Sequence, residues 1–265
     1  MVWQLTKRDV DDFSRNPLSS VVTELRFQPV LSIDQNSEKI AEFQEKIRSL
    51  FPTYRENHLQ EVNVAGPGSF SVGSKKVFEF GNLYGTRQLR LTSGNLALVR
   101  NDHIGRADLV TEFFESFEAL CQVFGNISAT RLGVLYSNII NKEAISKELG
   151  VDLSWPDLIN ENYFPLQLAT GSSNSCQFST QISDASPEGN GELAARYSLS
   201  RQIDVNSNVQ NPVFRLDIDR SEMNPKINEV NIRSMIESYA DDIYSLFMDV
   251  AEDKLIAWML RKEVF

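Results

Sequence analysis

Two carboxylates stand one residue apart in "LDIDRSE": Asp217 and Asp219 fall on one side of a strand, a spacing that lets their oxygens grip a divalent cation. A third ligand would have to come from Asp204, Glu222 or Glu24, none of which has a recognised metal-site spacing. The plainer reading is a polar strand face that pairs with arginines on neighbouring strands. The two histidines, His58 and His103, belong to no HxxxH or HxxEH pattern, and no G-x-S-x-G elbow occurs. His103 falls in an expected strand-to-helix turn. Cys121 and Cys176 form one bridge at most, and two buried free thiols in a reducing compartment is the simpler reading. "GSFSVGSKK" spaces Gly68 and Gly73 as a P-loop does, but Ser74 comes before Lys75 and a strand follows, so a loop is expected. No cofactor is expected, and catalysis is not the favoured reading.

Recognition chemistry is better represented. Arg26, Arg90, Arg196 and Arg215 alternate with apolar residues along expected strands, and their forked guanidinium groups suit carboxylates or phosphates. Interleaved with Glu24, Gln181 and Asp217, they also read as a plain solubilising face. A second surface lies near the end of the chain. If one helix runs from Asn231 to Arg261 it is about 46 Å long at 1.5 Å per residue, and its last turns overhang. Leu255, Trp258, Met259 and Phe265 then form a partner or oligomer surface. The alternative is a break near Asp253 that folds the tail back onto the sheet edge.

The elements that must carry these residues show a recurring order. "VVTELRFQPV" alternates as a strand, and "NSEKIAEFQEKIRSLFP" sets Ile40, Phe43, Ile47 and Leu50 at helical spacing behind an Asn36 or Ser37 cap. The Gly/Ser-rich "AGPGSFSVGS" leads to the strands "KVFEF", "RQLRLTS" and "NLALVRND", then to a helix from about Asp108 that stops at Gly125. From Arg131 the order returns: strand "RLGVLYSNII", a helix around "WPDLINENYF", three strands, and a helix from near Asn231. "ESFEALCQVF" and "ESYADDIYSLF" are the matching ends of the two terminal helices. The expected fold is therefore α+β, with residues 1–130 and 131–265 as two β-α-β-β-β-α copies. They would form one long curved antiparallel sheet with helices on one face, saddle-like, as one continuous domain.

Charge bounds the partners. The chain of 265 residues has 26 basic and 36 acidic residues, a net charge of −10. Residues 1–130 hold 14 basic and 16 acidic residues, net −2, so most of the excess lies in the second half. Such a surface repels duplex nucleic acid and attracts a basic protein. No apolar run reaches the roughly 18 residues of a membrane span, and acids occupy the place of a signal peptide's apolar stretch. A cytoplasmic protein is expected.

Two stretches carry a resemblance. In "NPLSSVVTELRF", Asn16, Pro17, Leu18, Glu24, Leu25, Arg26 and Phe27 match the opening of a sporadically distributed prokaryotic family; Ser19 stands where an acid or Pro is common. In "TRLGVLYSNIIN", Arg131, Gly133, Tyr136 and Asn138 match that family's mid-chain strand, from which Leu135 and Ser137 depart. The resemblance implies no catalytic residues. Its patchy distribution implies mobile genes, such as phage-defence or toxin–antitoxin-like modules. The duplicated unit also looks like the TATA-binding-protein saddle, an analogy of fold alone. The expectation is a non-catalytic module that captures a protein partner, with homo-oligomerisation as a further option. The alternatives are a ligand or nucleic-acid sensor on the arginine face, and a metal-dependent enzyme using Asp217 and Asp219.

Overall fold

The structure, a computed structural model, describes residues 5, 13–66, 69–102, 105–163, 178–186, 191–203, 210–228 and 230–261. It is α+β. Nine strands hydrogen-bond in the order β2-β3-β4-β5-β1-β6-β9-β8-β7, and the described residues also form six α-helices. The chain divides into two compact units, Val22–Val134 with Glu222–Glu237, and Met1–Val21 with Leu135–Ser221 and Ser238–Phe265. Each is described in turn.

In the 22–134 unit, β3 (Ser69–Gly81), β4 (Arg87–Thr92) and β5 (Asn95–Arg100) are antiparallel neighbours. Their register sets Phe78 opposite Leu91, Phe80 opposite Leu89, and Leu89 and Leu91 opposite Leu98 and Leu96. All six are buried. Period-two alternation thus gives one apolar face, each such side chain contributing roughly 1.5–3 kcal/mol on leaving water. A short helix α1 (Leu31–Gln35) precedes α2 (Ser37–Ile47), which starts where the Asn36 side chain accepts from the Lys39 N–H at 3.1 Å. The α2 stripe Ile40, Phe43 and Ile47 is buried. The Phe43 ring meets Phe80 edge-on at 5.4 Å and lies 6.4 Å from Phe124 of α3 (Arg106–Phe124). Gly125 ends α3 at φ 83°, in the left-handed region where glycine carries no Cβ penalty.

In its described residues, 65, 66 and 69–74, the Gly/Ser-rich stretch is strand and not loop. It belongs to a long hairpin in which β2 (Thr53–Gly66) pairs with β3 from Thr53 opposite Gly81 to Gly66 opposite Ser69. Gly73 and Lys75 are strand residues, and no phosphate-cradling turn forms there. The first half therefore has four strands after its helices, one more than expected.

The other unit is built on β6 (Ala129–Asn141), β7 (Phe178–Ala185), β8 (Glu192–Ile203) and β9 (Gln210–Met223). Leu193, Ala195, Tyr197 and Leu199 of β8 and Phe214, Leu216 and Ile218 of β9 are buried, as their alternation predicts. The helix expected around "WPDLINENYF" is instead two short 3₁₀ turns, Trp155–Asp157 and Glu161–Tyr163. The helix after β6 is α4 (Lys142–Leu149), capped by the Asn141 side chain and stopped by Gly150 at φ 70°.

At the C-terminus the structure takes the broken form. Helix α5 (Ile232–Val250) ends, Ala251 makes an isolated β-bridge to Ile159, and α6 (Asp253–Leu260) begins afresh. The amide of Glu252 donates to the Leu158 carbonyl at 3.0 Å, and Lys254 pairs with Asp157 at 2.6 Å. That ammonium, followed by the Ser154 hydrogen bonds, holds the Asp157 carboxyl at about 2.

Candidate functional site

The arginine face expected from sequence exists, and its arginines face carboxylates or amides. Glu24 on β1 (Leu18–Phe27) takes Arg26 and Arg131 at 2.9 Å each and Asn95 at 2.6 Å. Arg131 folds back over Gly133: a Cβ there would lie 2.5 Å from its Nη1, so glycine leaves the room for this reach. Arg90 lies 3.4 Å from Glu79. In the other unit, Gln181, Arg196 and Asp217 are consecutive cross-strand partners on β7, β8 and β9. Arg196 donates to Gln181 at 3.1 Å, and Arg215 lies 3.5 Å from Asp217. Internal counter-charges of this kind describe a laddered sheet surface better than a phosphate-binding one. Asp219 sits opposite Ala194, and Asp204 lies outside the described residues. Among the described residues no three His, Cys, Asp or Glu side chains gather as a metal site.

Sequence reasoning missed a more constrained place at the β2–β5 end of the 22–134 unit. An open cleft of about 300 Å³ is cut into the sheet there, lined among others by Thr53, Arg55, Glu79, Gly81, Gln88 and Val99. Register puts Arg55 opposite Glu79, and sets Gln88 between Gly81 and Val99. Gly81 has no side chain to fill the floor, where a Cβ would meet the Thr53 hydroxyl at 3.0 Å. Tyr54 borders the cleft, its phenol pKa raised first by burial and then by the charge and hydrogen bond of Glu56.

The β3–β4 turn stands at this rim and is held by one side chain. Asn82 Oδ1 accepts from the amides of Thr86 at 3.0 Å and Arg87 at 3.2 Å, and its Nδ2 donates to the Thr86 hydroxyl at 2.9 Å. Gly85, at φ 69°, donates its N–H to the Asn82 carbonyl. Asn82 is buried, yet the two residues it holds up, Leu83 and Tyr84, are 77% and 86% exposed. A turn locked on one side and displaying two large apolar side chains on the other loses little entropy when a partner covers it. The sequence signal was present in "GNLYGTR": turn residues flanking an apolar-aromatic pair.

Beneath the turn lies a ring of charge. Arg87 of β4 and Arg100 of β5 are register partners on the helix-facing side of the sheet. Glu112 of α3 pairs with both, reaching Arg87 Nη1 at 2.5 Å and Arg100 Nη1 at 3.2 Å. Asp102 does the same through the two Nε atoms, at 3.3 Å to Arg87 and 2.9 Å to Arg100. The other unit has a counterpart: on β9, Arg220 keeps the parity of buried Leu216 and Ile218, is 1% exposed, and pairs with Asp242 of α5 at 2.9 Å. Its guanidinium lies 4.3 Å from the Tyr239 ring centre.

The C-terminal surface needs correction. Leu255 and Met259 are fully buried, because the break after Val250 turns α6 inward. The indole N–H of Trp258 is used on Glu148 at 2.8 Å, and Arg15 meets the same carboxylate at 2.9 Å. Among the described large apolar side chains of α6, Leu260 is the exposed one, and Phe265 lies outside the described residues, as do His103 and Cys176. His58 is an exposed strand residue near Glu56, and Cys121, expected to be buried, is half-buried and in no disulfide. No described helix is long and apolar enough to cross a membrane.

Comparison with known proteins adds little to this geometry. No protein-family model matches the chain, and no curated protein matches it. Two chains among the solved structures match; one is an uncharacterised protein from Mycobacterium tuberculosis, at 8% identity over 82% of this chain and 68% of that one. Its TM-score of 0.18 supports no inference about fold or function.

Proposed function

We propose that this chain is a non-catalytic binding module that captures a protein partner, and that the β3–β4 turn is its contact point. The observation that carries the reading is the locking of the turn by Asn82 while Leu83 and Tyr84 stand in solvent. Exposing two large apolar side chains on a rigid support is unfavourable for an isolated chain and favourable for an interface anchor, and Tyr is among the residue types enriched there. The arginines of the sheet surface, with their internal carboxylate and amide partners, support a ligand or nucleic-acid sensor less well.

We further infer that the two halves are copies of one unit. Outward from β1 the strands run β5, β4, β3, and outward from β6 they run β9, β8, β7. In both halves the last strand ties to the terminal helix by a core-side arginine and an acid, Arg100 with Glu112 and Arg220 with Asp242. The first copy has gained β2. The family resemblance directs the search for the partner to products of neighbouring, mobile genes.

The test is affinity capture and native mass spectrometry of the chain co-expressed with its genomic neighbours, beside a Leu83→Ser/Tyr84→Ser variant. The reading expects a stoichiometric partner on the parent, weakened by roughly 2 kcal/mol or more in the variant while circular dichroism stays unchanged. Equal retention by both chains, or no stoichiometric partner, refutes it.

A further inference from the structure

The cleft beside the turn specifies the chemistry of what docks there. We infer that its occupant is an acidic, partly apolar extended segment of the partner, which places a carboxylate on Arg55 and an apolar side chain against Leu83 and Tyr84. This rests on the binding-module reading and sharpens it.

Three charged side chains line the cleft: Arg55, Arg87 and Glu79. Two of them are committed. Glu79 accepts from Asn57 at 2.7 Å through Oε2 and faces Arg90 through Oε1. Arg87 is held in the ring by Glu112 and Asp102. Arg55 is exposed, and among the described residues its side chain makes no hydrogen bond or ion pair. One uncommitted guanidinium beside an apolar rim selects a carboxylate with an apolar neighbour, since a forked, charge-assisted pair needs a planar acceptor. The cleft is half-open to solvent, so a chain can lie across it. β2 ends the strand order, so among the described residues no strand covers its outer backbone edge beside Thr53–Arg55, and an extended segment can hydrogen-bond there.

The net charge of −10 favours a basic partner at long range. At contact the local cation decides, because salt screens exposed charges beyond about 8 Å at physiological ionic strength. An acidic segment on an otherwise basic or neutral partner satisfies both fields.

The test uses the full chain, isotope-labelled, titrated with two N-acetylated synthetic peptides of equal length, one alternating Glu with Leu and the other Lys with Leu. Amide shifts are expected in Asn82–Arg87 and around Arg55 with the Glu peptide, which should bind about tenfold or more tighter than the Lys peptide. Arg55→Glu should invert that preference; because it sets two carboxylates opposite each other at the exposed sheet edge, it is paired with Arg55→Gln, which should abolish the preference while the spectrum elsewhere stays that of the parent. Equal binding of both peptides, shifts confined to other surfaces, or no shift with the Glu peptide overturns the inference. The same Arg55→Glu chain in the capture experiment separates the two proposals. If a partner stays on Arg55→Glu but leaves Leu83→Ser/Tyr84→Ser, the acidic-segment inference falls and the binding module stands. If the Glu peptide binds as described while no partner is captured, the module reading falls and the cleft's chemistry stands.

Discussion

Arg87 and Arg100 face each other across β4 and β5, and each of two carboxylates, Glu112 and Asp102, touches both. Like charges directly opposite on a sheet are unfavourable, so the acids are a condition of this register. Arg100 is 2% exposed and Glu112 is buried too. Glu112→Gln leaves two half-compensated cations in the core rim and should cost about 3–5 kcal/mol of unfolding free energy. Replacing Arg100 together with Glu112 by Met and Leu should recover most of it. Urea unfolding measures both, and a Glu112→Gln midpoint matching the parent would show the ring to be energetically idle.

Arg220 offers a cleaner separation of charge from shape. It donates to Asp242 through Nε and to the Ser221 carbonyl through Nη1 at 2.9 Å, while its plane covers Tyr239. Arg220→Lys keeps the charge and loses the fork, so a loss of about 1–3 kcal/mol is expected from the unmade hydrogen bond. Thermal unfolding reads this, and an unchanged Tm means that charge alone suffices.

The Tyr163 hydroxyl donates to Asp249 at 2.6 Å. Burial first, then the Asp249 hydrogen bond and charge, raise its pKa well above the usual phenol range. In the unfolded chain it ionises near pH 10, so the fold favours the neutral form. Its contribution is complete below about pH 10 and is lost as pH climbs toward the folded value. Tyr163→Phe should therefore be less stable at neutral pH but decline less steeply above about pH 10. Parallel pH–stability curves for the two chains would contradict this.

Glu148 joins the N-terminal segment to α6 by accepting from Trp258 while pairing with Arg15. Glu148→Ala should expose the Trp258 indole, shift its fluorescence to longer wavelength, and cost about 1–3 kcal/mol. An emission maximum that does not move would mean that the Glu148 contact is not needed to hold Trp258 in place.

The alternating strands β4, β5, β8 and β9 and the helices α2 and α3 were readable because one face of each is buried, which forces a period. Three features were not. The β2–β3 hairpin was hidden by its Gly and Ser content, which signals a turn when no pairing partner is visible. Helix α4 follows β6 without a loop, so its Asn141 cap and Gly150 stop stood inside what read as strand and linker. The charge ring depends on register: Arg87 and Arg100 become neighbours only once the β4–β5 turn is fixed, and Glu112 sits within the apolar stripe of α3. The same holds for the site. The arginines of the sheet and their interleaving with Glu24, Gln181 and Asp217 were foreseen, and "GNLYGTR" signals a turn, whereas the hold of Asn82 on Thr86 and Arg87 follows from geometry that no spacing encodes.

The division of the chain also bears on how it must be synthesised. The unit holding β2–β5 takes in residues 222–237, and its companion takes in residues 1–21. Neither is a contiguous stretch, so no single cut releases a whole one. A ribosome that has finished residues 1–134 has the β2–β5 meander in hand but still lacks the sixteen residues 222–237, which are made only after β7 and β8. The local hairpins can close early, while β1 must wait for β5 and then β6 before its two edges are filled. Expression of either half alone should yield chains prone to aggregate, and a stop just before residue 222 should damage both units at once.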